Sequence, residues 1–379
     1  MTERSATDGI WSVDAIAKID EGAILRFVHY VPALRRPPGV RITSVAPHVL
    51  DHFDHGFAYT VRDFWHGPGN RQRKLFRIAE INAFKRNTAV ERELISSGHA
   101  AFDAAPVFSM ASSPGASPLG GNGVLWARIH VHHVGQGDTI VLELPNGELW
   151  LLDARFWFKK RQLEFEDWMK KRFPGRQFTK IIVSHLHYDH IRSIPDMILA
   201  NPAAEVLVPD SLFHPTAAAR CVWRAAAGRL RKLIGFFNLT LGALDIQIIR
   251  SLDVANIANA VVASTNPNDH EVAILLKTSN SAALLAGDLP GAYCQEILKA
   301  SSISMPCQLG KRYYKVSHHG SITGYDQTLF QDYPSTHAVI SCGLGNSYGH
   351  PHRPIPTNLF VNCQITCRDG QQVYTHSIN

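Results

Sequence analysis

The segment from Lys180 to Ile191, KIIVSHLHYDHI, constrains this chain more than any other. Lys180 to Val183 reads as a short strand of the kind buried on both faces. His185, His187, Asp189 and His190 follow it directly. Alternate histidines leaving a strand end in a tight turn can converge their imidazoles on one cation. The Asp-His pair at the start of the next helix then points at a neighbouring position. Three imidazoles and a carboxylate within six residues form a mixed nitrogen and oxygen donor set, suited to Zn, Mn or Fe rather than Ca or Mg. An isolated histidine is ordinarily a packing or surface residue, but four donors at this spacing are not explained that way.

The rest of the chain accommodates such a site without specialised architecture. Its 379 residues are 45% hydrophobic and 18% charged, which fits one large or two modest globular domains. No apolar run approaches the ~18 residues of a membrane-spanning helix. Met1 to Ser5 lacks a basic start with an apolar core, so no secretory signal is expected. The six cysteines form no CxxC pair and read as reduced thiols, which places the expected protein in the cytoplasm. A formal charge of +6 permits an anionic partner without requiring one.

From Asp103 to Gly123 the chain is dense in Ala, Ser, Pro and Gly and reads as a linker. It separates an N-terminal accessory region and linker, residues 1–122, from a second domain over residues 123–379. Before the linker, Ala23 to Val31 and Gly56 to Trp65 are expected strands. Lys74 to Phe84 fits strand or helix, and Asn87 to Phe102 a helix. Eight Lys and Arg between Arg62 and Arg92 face three acidic residues, with Phe64, Trp65 and Phe76 interleaved. That pattern reads first as a solvated face of a small α+β accessory domain, with a nucleic-acid or anionic-ligand surface as the alternative. A protein partner for residues 1–122 is the other expectation, and no function follows. After the linker, strands are expected at Trp126 to Val134, Thr139 to Leu144, Leu149 to Asp153, Lys180 to Val183 and Glu205 to Val208. Further strands are expected at Val272 to Lys277, Ala282 to Ala286, Tyr314 to Ser317 and Ala338 to Ser341. Helices are expected at Leu163 to Phe173, Ile191 to Ala200 and Pro215 to Phe237. This order predicts two mixed sheets sandwiched by helices.

The HxHxDH pattern of His185, His187, Asp189 and His190 resembles that of the metallo-β-lactamase superfamily. The resemblance narrows to the ComEC-type branch, the soluble C-terminal hydrolase domain of a DNA-uptake competence protein. It rests on His133 to Ala154 (HVGQGDTIVLELPNGELWLLDA), with Gly135-Gln136-Gly137-Asp138 and Asp153 matching. Leu284 to Leu289 (LLAGDL), Tyr314 to Ser321 (YKVSHHGS) and Ser347 to His352 (SYGHPH) follow in the family's order. The resemblance implies an α/β fold, a four-layer αββα metallo-β-lactamase sandwich, here with a small N-terminal α+β accessory region. It also implies two divalent metal ions, zinc first and manganese as the alternative, and a metal-activated water served by Asp189 and Asp288.

Further roles follow from that resemblance. Asp288 fits the family's bridging aspartate, and a remaining ligand should come from His318 or His319. Neighbouring side chains on a strand point opposite ways, so His318 is the expected ligand, with His319 behind it or touching substrate. The branch usually reads Asn-Asp-Asn-Ser before its Gly-Asp strand, whereas this chain reads NDHEVAILL. His270 stands where most superfamily members place a third histidine, and is expected to complete a shell with His185 and His187. Asp153 is expected to orient a ligand histidine. Arg155 and Arg192 replace smaller residues of the branch and should reshape the rim.

Such a centre hydrolyses phosphodiesters, thioesters, lactones or β-lactams. Phosphodiester cleavage is favoured by the ComEC-type motifs and by cations expected near the mouth: Lys315, Arg155, Arg192, and His350 or His352. Arg220, Arg224, Arg229, Arg231 and Lys232 would add phosphate contacts if they shared one face of the Pro215 to Phe237 helix. An anionic substrate, nucleic acid included, is therefore the expected partner, and no membrane is. Hydrolysis of an ester, thioester, lactam or peptide is the alternative within enzymes. A non-catalytic binding module in a defence or signalling complex is the alternative of another class.

Overall fold

The computed structural model describes residues 126–156, 159–210, 217–264, 266–302, 310–344, 346, 348–352, 362–367 and 371–378, together with five N-terminal strands. Those strands are β1 (Ile10–Ile19), β2 (Gly22–Tyr30), β3 (Val40–Val45), β4 (Ala58–Val61) and β5 (Ile81–Asn82). They form one antiparallel sheet in the order β3-β2-β1-β4-β5. The expected strands beginning at Ala23 and Gly56 correspond to β2 and β4. The expected helix at Asn87 to Phe102 and the linker lie outside the described residues.

The larger unit is built from two seven-stranded sheets. The first contains β6 (Ala127–His132), β7 (Ile140–Glu143), β8 (Leu149–Leu152), β9 (Lys180–Ile182), β10 (Glu205–Pro209), β11 (Leu230–Leu233) and β19 (Val373–Ile378), in the order β11-β10-β9-β8-β7-β6-β19. The second runs in simple sequence order from β12 to β18. Its strands are β12 (Phe236–Leu241), β13 (Leu244–Arg250), β14 (Val272–Lys277), β15 (Ser281–Leu285), β16 (Lys311–Lys315), β17 (His337–Ile340) and β18 (Asn362–Ile365). Both sheets change character midway. Pairing is antiparallel up to β8 and parallel from β8 to β11, and likewise antiparallel up to β15 and parallel from β15 to β18.

Period-two burial explains the layering. In β8, Trp150 and Leu152 pack between the sheets with Ile274, Leu276 and Val339, while Leu149 and Leu151 pack on the other face. That other face is covered by helices Lys159–Arg172, Ile194–Ala200 and Ala217–Ala226, through Phe165, Met197, Ile198, Val222 and Trp223. The second sheet is covered in the same way by helices Ala255–Ala263, Gly291–Ala300 and Gln327–Asp332. Strands buried on both faces must be nearly continuously apolar, as β8, β14 and β15 are. The result is a helix-sheet-sheet-helix sandwich, as expected.

The expected helix from Pro215 to Phe237 is corrected. It stops at Ala226, a short 3-10 turn covers Ala227–Arg229, and the chain then enters β11 and β12. Ala227 and Gly235 both take positive φ, which breaks a helix, and β11 gains a full parallel ladder with β10. Tertiary pairing overrides the helical propensity of this stretch. Only Arg220 and Arg224 of the five basic residues lie in the helix, so the set does not share one helical face. Arg224 is exposed on the helix, Arg229 donates to the carbonyls of Asn201 (2.9 Å) and Ala204 (3.2 Å), and Arg231 and Lys232 sit on a strand.

The inter-sheet layer should dominate stability. Ile274 is fully buried there, so Ile274→Ala should cost about 2–5 kcal/mol. A lowered urea midpoint with an unchanged denaturant slope would report it.

Candidate metal centre

The chemistry-bearing residues leave the C-terminal ends of neighbouring strands. Asp153 follows β8, His185 to His190 follow β9, Asp288 follows β15, and His318 and His319 follow β16. Asp153, itself at φ 55°, is the hub of the first group. Its Oδ1 accepts from the Ser184 backbone N–H at 2.8 Å, and its Oδ2 accepts from the Ser184 hydroxyl at 2.6 Å and from His190 Nδ1 at 2.7 Å. This fixes the His190 ring with Nε2 3.2 Å from Asp288 Oδ1.

Hydrogen bonding sets the tautomers of two further rings. His319 Nδ1 donates to the Ser341 carbonyl at 2.8 Å, so its Nε2 carries the lone pair. That nitrogen lies 3.4 Å from Asp288 Oδ1 and 3.8 Å from Asp189 Oδ2. Ser184 has a single hydroxyl proton and gives it to Asp153. His185 Nδ1, 3.1 Å from Ser184 Oγ, must therefore donate, which leaves its Nε2 as a lone pair. The His185 ring lies 4.2 Å from that of His190 and 4.8 Å from that of His187.

One ligand atom each from Asp189, His190, Asp288 and His319 falls within a common 4.8 Å. His185 Nε2 and His319 Nε2 are buried and take part in no hydrogen bond. Imidazoles whose Nδ1 is committed to an oxygen and whose Nε2 faces a carboxylate are what a metal site requires. The residues fit a divalent cation. A second group, Asp138 with Asp153 and His190, has a different explanation. Lys315 is buried behind it, forms an ion pair with Asp138, donates to the Gly287 carbonyl at 2.8 Å and lies 3.8 Å from Asp288 Oδ1. Its ammonium already serves as the cation there.

Several sequence expectations need correction. The two histidines after β16 do not alternate along a strand. They occupy a tight turn over Ser317–Gly320 in which His318, His319 and Gly320 have φ of 51°, 53° and 79°. This left-handed backbone, costing on the order of 1–3 kcal/mol at each non-glycine position, turns His319 inward and leaves His318 at the rim. His318 Nδ1 bonds Thr323 Oγ1 at 2.7 Å, and its Nε2 lies 3.8 Å from Asp288 Oδ2. His319, rather than His318, joins the cluster. His270 is not brought to it either, because its Nε2 faces the Ser264 carbonyl at 3.3 Å. The neighbouring Glu271 faces the centre instead: Oε1 lies 3.2 Å from His185 Nδ1, and Oε2 accepts from the Asp288 N–H at 2.8 Å.

The expected rim cations also move. Lys315 and Arg155 are both 2% exposed, and Arg155 donates to the Gln136 carbonyl at 2.8 Å. Arg192 is half-buried. His350 does line the centre, its ring 6.2 Å from His319 and 5.5 Å from His318, with Nδ1 3.3 Å from the Gln136 amide nitrogen. His352 has both nitrogens engaged, accepting from Ile322 N–H at 2.9 Å and donating to the Tyr348 carbonyl at 3.1 Å. It clamps the turn.

The electrostatics follow from burial and from the carboxylates. Burial pushes His185 down to about 4, and His319 down to about 3 against the pull of Asp288. Burial and the adjacent His319, His318 and His352 push His350 down to about 3. His190 goes the other way. Asp288 and Asp153 overcome its burial and raise it well above the ordinary histidine value, while His319, His190 and His318 hold Asp288 well below the carboxylate range.

The family model of the metallo-beta-lactamase superfamily matches residues 123–326. This chain belongs to that superfamily. Within it the relationship is ComEC-like: ComE operon protein 3 of Bacillus subtilis (strain 168) is 20% identical over 240 residues, which are 59% of this chain and 29% of that protein. The match thus spans under a third of the relative's length. Among solved structures, the metallo-beta-lactamase fold protein YhfI from Bacillus subtilis aligns at 10% identity and a TM-score of 0.37, covering 66% of this chain and 99% of its own. A long-form RNase Z from yeast aligns at 12% identity and 0.34, covering 57% and 36%. The isothiocyanate hydrolase from Delia radicum gut bacteria aligns at 13% identity and 0.35, covering 59% and 88%.

Two outcomes follow from the geometry. In equilibrium dialysis with elemental analysis, His319→Ala should lose metal, whereas His318→Ala and His270→Ala should retain the wild-type content. Cation binding should also displace the proton that Asp153 and Asp288 hold on His190, so apparent affinity should rise with pH and fall as protons compete. Calorimetry at neutral pH in buffers of different ionisation enthalpy should report roughly one proton released at that position.

Proposed function

We propose that this superfamily hydrolase is a dinuclear enzyme acting on phosphodiesters, in nucleic acid or in a nucleotide. The observation that carries the dinuclear reading is the convergence of His190 and His319 Nε2 on one Asp288 oxygen, beside a separate pair, His185 and His187. One ion would be held by Asp189, His190, Asp288 and His319, the other by His185 and His187 with Asp288 shared. The imidazole-rich donor set favours zinc, with manganese as the alternative.

Asp138, Asp153, Asp189 and Asp288 gather around the centre, answered by the buried cations Lys315 and Arg155, while burial and the nearby Asp288 push Glu271 well above the ordinary carboxylate range. The negative charge that remains favours divalent cations at the centre. When bound, such a pair supplies Lewis acidity and an activated water.

The chain's own residues do the rest. Asp153 and Ser184 hold the rings of His190 and His185 in their ligating tautomers. Gln136 addresses His350 Nδ1, which leaves its Nε2–H as a neutral donor at the rim. His318, with its side chain 24% exposed, offers a further imidazole there. A mouth of imidazole donors suits phosphoryl oxygens, and the ComEC-like relationship supports the same substrate class. An ester, thioester, lactam or peptide substrate would call for a neutral, aromatic-lined pocket. A purely binding module has no use for so complete a donor set. The cytoplasm remains the proposed location; among the described residues no helix is long and apolar enough to cross a membrane.

The test is turnover by metal-loaded protein on a bis-aryl phosphodiester, single- and double-stranded DNA, RNA, cyclic nucleotides and a chromogenic lactam. Asp288→Ala should reduce phosphodiester turnover by at least about 10²-fold, the size of losing one strong electrostatic stabiliser. Lactam turnover without phosphodiester turnover would reject the reading.

A further inference from the structure

Glu271 is the fully buried acid at the entry to β14. It stands where the ComEC-type pattern carries serine, one residue beyond His270. A buried acid at the mouth of a strand otherwise buried and apolar breaks the pattern of its surroundings, and such breaks concentrate at functional sites. Its two oxygens face different ligands. Oε2 accepts from the backbone N–H of Asp288 at 2.8 Å, and Oε1 lies 3.2 Å from His185 Nδ1. Oε1 is buried and has no hydrogen bond of regular geometry.

The chain makes room for this carboxylate. A Cβ on Gly287, which sits at φ +50°, would fall 1.5 Å from Glu271 Oε1. No side chain other than hydrogen is compatible with both that backbone and that neighbour. The glycine before Asp288 therefore belongs to the same device.

We propose that Glu271 is a positioning residue that ties the two ligand sets together and selects the ligating tautomer of His185. The proposal rests on the metal-centre reading above and deepens it. Burial and the nearby Asp288 push Glu271 well above the ordinary carboxylate range, and cations at the centre would favour its ionised form. Ionised, it accepts at both ends, so it can take the Asp288 N–H and still face a protonated Nδ1 on His185. That keeps the Nε2 lone pair directed at the cation position. Ser184 Oγ, 3.1 Å away, shares the same proton, so Glu271 reinforces a state that Ser184 and Asp153 begin.

The directionality makes one substitution diagnostic. In Glu271→Gln the Asp288 N–H still needs an acceptor, so the amide oxygen must occupy the Oε2 position. The amide NH₂ is then presented to His185 Nδ1, donor against donor. His185 relieves the conflict by moving its proton to Nε2, which can no longer bind metal. The two side chains are nearly isosteric, so the fold and Gly287 are not disturbed.

The experiment uses the full chain with three readouts. In zinc-loaded protein, long-range ¹⁵N–¹H correlation of the His185 ring should show Nδ1–H in the wild type and Nε2–H in Glu271→Gln. Chelator competition should show zinc affinity at the His185 and His187 position reduced about 10–100-fold, as for loss of a partner behind a ligand histidine. The visible spectrum of the cobalt-substituted protein should change with it. Gly287→Ala, which displaces the carboxylate without changing its charge, should weaken the same position. If Glu271→Gln melts like the wild type yet keeps its tautomer, zinc affinity and cobalt spectrum, Glu271 is only a packed acid and the proposal fails. If the wild type itself binds no metal, the centre rather than the strut is refuted.

Discussion

The centre is organised around one buried carboxylate. Asp153 accepts from a backbone N–H, a hydroxyl and an imidazole, and through these contacts it fixes the end of β9, Ser184 and the His190 ring together. A carboxylate taken out of water is tolerable only when its lone pairs are used, and charge-assisted bonds of this length are the strong kind. The orientation of the HxHxDH segment is consequently set from behind, by a residue in a different strand. His319 is held in the same manner by the Ser341 carbonyl, and Ser341 in turn donates to the Gly137 carbonyl at 2.7 Å. The rings of His185, His190 and His319 are each clamped through the nitrogen that does not face the centre.

The same economy applies to charge. Lys315, buried beneath the site, consumes the negative charge of Asp138 and leaves that of Asp288 directed at the imidazoles. This differs from a lysine waiting at the mouth for substrate. A buried ammonium keeps its charge only where carboxylates surround it, and Asp138 and Asp288 raise Lys315 against the effect of its burial.

The layered architecture and much of the site were legible because they depend on local patterns. The nearly continuous apolar runs of β8, β14 and β15, the donors after β9 and the Gly-Asp step after β15 are all visible as residue types at fixed spacing. What stayed hidden depends on backbone angles and on contacts between distant segments. No propensity indicates that His318 and His319 both adopt left-handed φ, so the strand rule applied to them selected the ring that lies at the rim. Arg155 and Lys315 read as rim cations because composition does not reveal that Gln136 and Asp138 receive them inside. Phe236 to Arg250 shows the alternation of a hairpin around Gly242, but the helical reading of the preceding stretch absorbed its first residues. His270 drew attention as a metal-binding residue type, while the less conspicuous Glu271 beside it faces the centre.

The position of the centre follows from topology. Each sheet changes from antiparallel to parallel pairing at one strand, β8 in the first and β15 in the second. Open sheets bind ligands at the carboxyl ends of strands where connectivity changes, and here two such points face one another across the sandwich. Each of the two strands is followed by a residue of left-handed φ, Asp153 at 55° just after β8 and Gly287 at 50° two residues after β15, which turns the chain sharply out of the sheet. In the first sheet that residue is itself the acid, because Asp tolerates this conformation and its carboxylate is needed behind His190. In the second sheet the acid comes one position later, because Glu271 fills the space a side chain at Gly287 would take. Asp153 and Asp288 thus approach His190 from opposite nitrogens, and the imidazole between them joins the two halves of the fold.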